Sequence, residues 1–184
     1  MTDPAETSGS HGTILCKSCG LCCTGHLFSW VRLRATELDS SQALGLNVIR
    51  SDPRQRGFTQ PCPLWQGQCT VYTSPHYPRV CRTYQCKLLK EVLHENIPLP
   101  EALTVVQQAM EMIQELEMFL PASSKISFRE RLVEHMERGN TDPEFQRKAD
   151  ALIIFFDQHF GVKDFFDEPR KSNKNEPASR DTGS

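Results

Sequence analysis

All eight cysteines of this 184-residue chain fall between Cys16 and Cys86. Thiolates are soft ligands for zinc and iron, and a metal site needs several of them converging, each about 2.3 Å from a zinc ion. The run Cys16-Lys17-Ser18-Cys19-Gly20-Leu21-Cys22-Cys23 can reach that convergence through local turns. A two-residue gap brings two sulfurs to one side, and Gly20 permits backbone that a β-carbon forbids. As a loop, Cys16, Cys19 and Cys22 carry the triple spacing of a bacterial ferredoxin cluster. As a helix, Cys16, Cys19 and Cys23 share one face and Cys22 points elsewhere. Either way one of the adjacent pair is left for a second ion or a multinuclear site. Cys62, Cys69, Cys81 and Cys86 are more widely spaced, so the fold must gather them. Together the two groups offer eight ligands, enough for two four-cysteine sites or for one such site plus free thiols.

The pattern Cys16-x-x-Cys19-x-x-Cys22-Cys23 resembles the signature of the YkgJ-type cysteine-cluster proteins (CxxCxxCC), a family described as chelating zinc or iron. The resemblance continues in Cys62-Pro63-Leu64, in Gly67-Gln68-Cys69-Thr70-Val71-Tyr72 and in Cys81-Arg82-Thr83-Tyr84-Gln85-Cys86. All eight cysteines stand at motif positions, and the likeness implies that all eight serve a bound metal. The chain departs from the family where Tyr77-Pro78 replaces the usual Arg-Pro before the seventh cysteine; Arg79 or Arg82 is the nearest substitute. A similar cluster occurs in flagellin lysine methylases, which are much longer chains.

Composition narrows the chemistry. Twenty-one Lys and Arg against 23 Asp and Glu leave a formal charge of −2, so no long-range field for nucleic acid or anionic membrane is expected. Eight thiolates would add eight negative charges, which bound cations offset; metal and deprotonation are linked. The first residues lack the basic and apolar segments of a secretory signal, and no run of about twenty apolar residues occurs. These features predict a cytoplasmic protein without a membrane span, where reduced thiols favour metal ligation over disulfides. Zinc as a structural staple and an iron–sulfur cluster are close competitors. The compact triplet and the Cys62-Pro63 step lean to iron. His26 and His76 lie near cysteines but are left out of the ligand set, because a lone histidine is more often a hydrogen-bonding residue. The expected function is a metal-binding cysteine-cluster protein whose physiological reaction the sequence leaves open. The alternatives are a metal-dependent enzyme, an oxidoreductase or methyl transferase, and a zinc-stabilised module that docks a protein partner. No glycine motif for a dinucleotide or S-adenosylmethionine is present, so the enzyme ranks second.

These ligands need elements to position them. Residues 1–12 and 168–184 are small, polar and charged, and are expected to be disordered tails. Residues 13–95 form the cysteine-cluster region, with both Trp and all three Tyr. There a strand is expected over Leu27–Leu33, a helix over Thr36–Leu44 capped by Thr36 and stopped by Gly45, and a second strand over Gln68–Tyr72. Arg82–Glu95 should be one helix. Residues 96–167 read as helical. Leu99, Leu103, Val106, Met110, Ile113 and Leu120, with Ala102 and Ala109, make an apolar stripe with Pro100 in the first turn. Ser127-Phe128-Arg129-Glu130 has the form of a capping box, and Asp142-Pro143 opens a last helix ending at Gly161. Met110, Met112 and Met118 read as core or interface. Lys87, Lys90, Arg79 and Arg82 read as a solvated basic face. The expected architecture is a small, α-rich, irregular α+β fold: a loop-rich cysteine segment with short strands, packed on a C-terminal antiparallel helical bundle.

Overall fold

The computed structural model describes residues 4–139, 142–163 and 165, and the fold is α-rich with one small sheet. The chain opens with α1 (Pro4–Cys19), followed by β1 (Trp30–Arg32), a 3-10 turn (Ala35–Glu37) and α2 (Leu38–Ala43). Strands β2 (Val48–Ile49) and β3 (Gly57–Thr59) precede the short helices α3 (Arg79–Thr83) and α4 (Lys87–Leu93). Three longer helices complete the described chain: α5 (Leu99–Glu117), α6 (Phe128–Glu137) and α7 (Pro143–Phe160). Residues 166–184, which include the expected C-terminal tail, lie outside the described residues.

Helix α1 takes in residues 4–12, which the sequence assigns to an unstructured tail. Leu15 is buried, and α1 lies against α4 and α5. Gly12 lies close to α4, since a β-carbon there would sit 2.7 Å from the Leu93 side chain.

The C-terminal helices follow their sequence signals. The α5 stripe buries Ala102, Val106, Ala109, Ile113 and Leu116, and α5 packs on α7. The Ser127 hydroxyl accepts the Glu130 N–H at 3.1 Å, capping α6. The Asp142 carboxylate accepts the Glu144 N–H at 2.8 Å, and Gly161 ends α7 in the left-handed region. Phe128, Phe145, Phe156, Phe160 and Phe165 are fully buried between these helices with Leu116, Leu132 and Leu152. Each such side chain contributes roughly 1.5–3 kcal/mol through burial. Arg131 ties α6 back to the end of α5 with two hydrogen bonds of 2.6 Å to the Glu117 carboxylate.

The sheet is antiparallel in the order β1-β3-β2, with Val31 opposite Phe58 and Phe58 opposite Val48. Phe58, Leu33, Leu38 and Leu46 form a second, smaller core, separate from the helical one. Gly57 is obligatory in this register, because a β-carbon would fall 2.0 Å from the Val31 carbonyl oxygen. Three expectations for this half need correction. The first-half helix begins as a 3-10 turn, and Glu37, not Thr36, does the capping: its carboxylate accepts the Arg34 N–H at 3.1 Å. Gln68–Tyr72 is a turn held by a single bridge between Trp65 and Cys69, not a strand. Arg82–Glu95 is broken, with Tyr84–Cys86 extended between α3 and α4. That break matters, because it turns Cys86 from a helix-surface residue into the cap of α4.

Candidate metal centre

Neither sequence reading of the first cysteine run is complete. Cys16 and Cys19 occupy the last turn of α1, as the helical reading requires. Gly20, at φ +68°, then ends the helix, and residues 21–25 turn away as the loop reading requires. The Trp65 ring covers Gly20 so closely that a β-carbon would meet it at 2.2 Å. The Thr24 N–H donates to the Gly20 carbonyl at 2.8 Å, and the His26 N–H to the Leu21 carbonyl at 3.0 Å, closing the turn.

This turn sends the adjacent pair to different neighbours. Cys22 packs with Cys19 and Cys86 against the helical core. The Cys22 thiol feels charge at Cys19, Cys86, Cys23 and Cys16. The Cys23 thiol feels Cys62, Cys69, Cys81 and, last, Cys16. Cys62 and Cys81 pack against the smaller, sheet-bearing core instead. A backbone hydrogen bond of 2.7 Å from the Cys62 N–H to the Cys23 carbonyl pins these distant segments together. So the sheet-side group is Cys23, Cys62, Cys69 and Cys81, and the helix-side group is Cys19, Cys22 and Cys86, with Cys16 beside both.

All eight thiols are free and half-buried. Burial is the first cause that raises the pKa values of Cys16, Cys19, Cys22, Cys23, Cys62, Cys81 and Cys86, since a thiolate loses solvation there. Cys16 is pushed up to about 11, with the charges of Cys86 and Cys69 adding to burial. Cys19 and Cys81 are pushed up to about 12. Cys22 is raised well above the ordinary thiol value, and Cys23, Cys62 and Cys86 are raised as well. Opposing this, backbone N–H groups point at three of the sulfurs: Leu21 at Cys19, Leu64 and Trp65 at Cys62, and Leu88 and Leu89 at Cys86. The Leu89 N–H reaches the Cys86 sulfur at 3.4 Å. Such donors stabilise the anionic form and fix its direction.

Among the described residues, no three His, Cys, Asp or Glu side chains are set to hold one ion together. Tetrahedral coordination with 2.3 Å bonds draws sulfurs to about 4 Å from one another. The thiols are therefore neighbours that repel as anions without being drawn to bonding separation. In donor type the set fits a thiophilic cation: eight soft sulfurs, oriented N–H donors and surroundings that disfavour uncompensated thiolates.

Comparisons with protein-family models, curated proteins and solved structures give no match to this chain.

The cysteine neighbourhood includes aromatic and acidic residues that spacing alone did not single out. Tyr84, extended between α3 and α4, meets the Phe28 ring edge-on at 5.4 Å. With Leu15, Leu88 and Phe160 it walls a cavity of about 50 Å³ onto which Cys16, Cys19, Cys22, Cys23 and Cys86 open. Burial, then the Cys22 and Cys86 charges, raises the Tyr84 pKa. Tyr77, where the family-like motif has arginine, donates its hydroxyl to the Cys81 carbonyl at 3.3 Å. The Arg82 guanidinium lies over the Tyr77 ring at 5.8 Å as a cation–π partner. The Glu37 carboxylate accepts the Arg79 N–H at 2.8 Å, which fixes the start of α3 and hence Cys81. The signal for Tyr84 was its place between Cys81 and Cys86; Glu37 has no local signal, because its contact spans 42 residues.

The histidines stay apart from the sulfurs. His26 hydrogen-bonds Thr24 at 2.5 Å and stacks on Phe128 at 5.2 Å. Burial lowers its pKa to about 4, so it is a neutral core residue at physiological pH. His76 is exposed, with its backbone N–H on the Ser74 hydroxyl at 3.2 Å. Met110 and Met112 pack on the helical core, while Met118 is exposed. Lys87, Lys90, Arg79 and Arg82 are exposed. No described helix is long and apolar enough to cross a membrane.

Proposed function

We propose that this chain is a metal-binding protein whose eight cysteines hold thiophilic cations, zinc or iron, as YkgJ-type cysteine-cluster proteins are described as doing. The observation that carries the reading is the divergence of Cys22 and Cys23. One turn delivers two adjacent sulfurs to different neighbours: Cys22 to Cys19 and the distant Cys86, Cys23 to the distant Cys62, Cys69 and Cys81. Packing alone gives no reason to gather eight half-buried thiols, several of which would repel one another as thiolates. Cations supply that reason, because they turn mutual repulsion into shared attraction.

Between zinc and iron the reading leans slightly to iron, on the compact cysteine triplet. Cys16, Cys19 and Cys22 keep the ferredoxin-like triplet, with Cys86 as the remote fourth member. The Cys62-Pro63 step, the other ground for iron, sits with Cys23 in the sheet-side group and adds nothing to the triplet. The Tyr84 cavity is small and mostly apolar in its walls, which suits a binding site better than an open reaction cleft. Bound metal contributes folding free energy in either case, on the order of 10 kcal/mol for a structural zinc.

Elemental analysis of anaerobically purified protein, with its ultraviolet–visible spectrum, tests the proposal. The expected result is stoichiometric zinc in a colourless protein, or iron in a brown one that dithionite bleaches. Purified protein that carries neither metal, and acquires neither when reduced and supplied with them, would falsify it.

A further inference from the structure

Strand β1 is an edge of the sheet, because the order β1-β3-β2 gives it a single neighbour. The Leu33 N–H donates to the Arg56 carbonyl at 3.1 Å, and the Gln60 N–H to the Ser29 carbonyl at 2.9 Å. Residues 29, 31 and 33 therefore face β3. By the alternation of an antiparallel ladder, the backbone N–H and carbonyl groups of Trp30 and Arg32 face away from it. No hydrogen bond among the described residues takes those groups up. A row of outward backbone donors and acceptors is a template for an added strand.

The side chains beside this edge are cationic. Residues 52–56 fold over the strand: the Trp30 indole N–H donates to the Gln55 carbonyl at 2.8 Å, and the Arg32 guanidinium to the Arg54 carbonyl at 3.1 Å. Arg32, Arg34 and Arg54 are exposed there, with Arg56 half-buried behind them. The nearby carboxylates are already engaged. Asp52 accepts the Arg54 N–H at 2.8 Å and pairs with its guanidinium at 3.6 Å. Glu37 accepts the backbone N–H groups of Arg34 and Arg79. Arg32, Arg34 and Arg56 form no ion pair among the described residues, and the Arg56 Nε is buried without a hydrogen-bond partner. The Arg32 guanidinium lies over the Trp30 ring at 5.7 Å, which keeps it beside the edge, and it retains N–H donors beyond the one given to Arg54.

We propose that the free edge of β1 is a docking site for an acidic segment of a partner protein, which adds to the sheet as a fourth strand. Backbone pairing at Trp30 and Arg32 seats the segment, and its carboxylates meet the unpaired guanidinium groups. A second copy of this chain does not fit, because pairing β1 with β1 sets Arg32 and Arg34 against their own counterparts. Nucleic acid answers the charge but lacks the alternating N–H and carbonyl groups that an open strand pairs with. The edge serves this purpose whichever metal the cysteines hold.

A fluorescein-labelled peptide of alternating Glu and Val, titrated with the full chain, tests the site by anisotropy. Saturable binding is expected, weakened about tenfold by Arg32→Glu or Arg34→Glu and weakened further at about 0.5 M salt. The counterpart peptide of alternating Lys and Val should not bind. Hydrogen exchange read by NMR on the wild-type chain separates strand addition from charge alone. The Trp30 and Arg32 amides should slow at least about tenfold when the Glu-Val peptide binds, whereas Val31, already bonded to β3, should change little. This measurement decides the matter should either arginine variant fail to fold, as judged by circular dichroism. No binding of the Glu-Val peptide, equal binding of the Lys-Val peptide, unchanged exchange at Trp30 and Arg32, or preference for polyuridylate over the peptide each overturns the site.

Discussion

Protons should leave this protein in nearly fixed number as each metal ion enters. Cys16 at about 11, and Cys19 and Cys81 at about 12, are thiols at neutral pH in the metal-free fold. A thiol at the ordinary value near 8.5 would already be partly ionised at pH 8. At about 1.4 kcal/mol for each tenfold change in proton affinity, these elevations represent roughly 3–4 kcal/mol of preference for the neutral form at each residue. Every metal–sulfur bond must displace one such proton, so each ion should release three to four. The apparent affinity should then rise by three to four orders of magnitude per pH unit. That slope should persist to about pH 10, well past the point where ordinary thiols would flatten it.

Calorimetric titration in buffers of differing ionisation enthalpy counts the protons directly. Release of fewer than two protons per ion at pH 7 would refute the reasoning, since the sulfurs would then be either already ionised or not ligands. The linkage also fixes two opposite stability profiles. In the metal-free protein the folded pKa values lie above the unfolded ones. The stabilisation is therefore complete below about pH 8.5 and is lost as pH rises through 11–12. In the loaded protein the ligand pKa values fall below the unfolded ones, and stability is lost as pH falls. Urea denaturation of both forms across pH 5–10 should show curves that diverge with rising pH.

Serine replacement at Cys19, Cys62 or Cys81 should each lower metal content by at least one equivalent per chain, measured by elemental analysis; unchanged content in all three would end the ligand assignment. Gly20→Ala should destabilise the loaded protein by about 2–3 kcal/mol and shift Trp65 fluorescence, because φ is +68° and the new β-carbon meets the indole at 2.2 Å. Glu117→Ala should cost ~3 kcal/mol in denaturant melts, as it strips buried Arg131 of its two-point partner. His26 should show no imidazole titration by NMR above pH 5. Its folded pKa near 4 lies below the unfolded 6.5, so about 3 kcal/mol of stability present above pH 6.5 should be lost as pH falls through 4, and His26→Gln should flatten that decline.

Where chemistry is local, the sequence is a sufficient guide. The Ser127 and Asp142 caps, Pro100 in a first turn, the Gly161 stop and the α5 stripe all act within four residues, and each appears where the spacing predicts it. The class of fold follows from these helices and from the turn-rich first half. The details that fail are those set by contacts far apart in sequence. At Gly12, α1 lies on Leu89 and Leu93, about eighty residues away, a contact no local signal announces. Glu37 outcompetes Thr36 as a cap because its second carboxylate oxygen is needed by Arg79. Arg82–Glu95 breaks because Tyr84 must reach Phe28 and Cys86 must face α1.

The same division governs the sulfurs, and it explains why neither local reading of Cys16–Cys23 sufficed. Periodicity can say that three cysteines share a helical face, or that three share a loop; it cannot say that a helix ends between the second and the third. Gly20 marks that end, yet its necessity lies in Trp65, which fixes the turn from 45 residues downstream. The ring is held in turn by the Trp65–Cys69 bridge and by the Trp65 N–H on the Cys62 carbonyl. One aromatic residue thus couples the direction of Cys22 and Cys23 to the placement of Cys62 and Cys69. A change at Trp65 should therefore disturb both sulfur groups at once, although Trp65 supplies a ligand to neither.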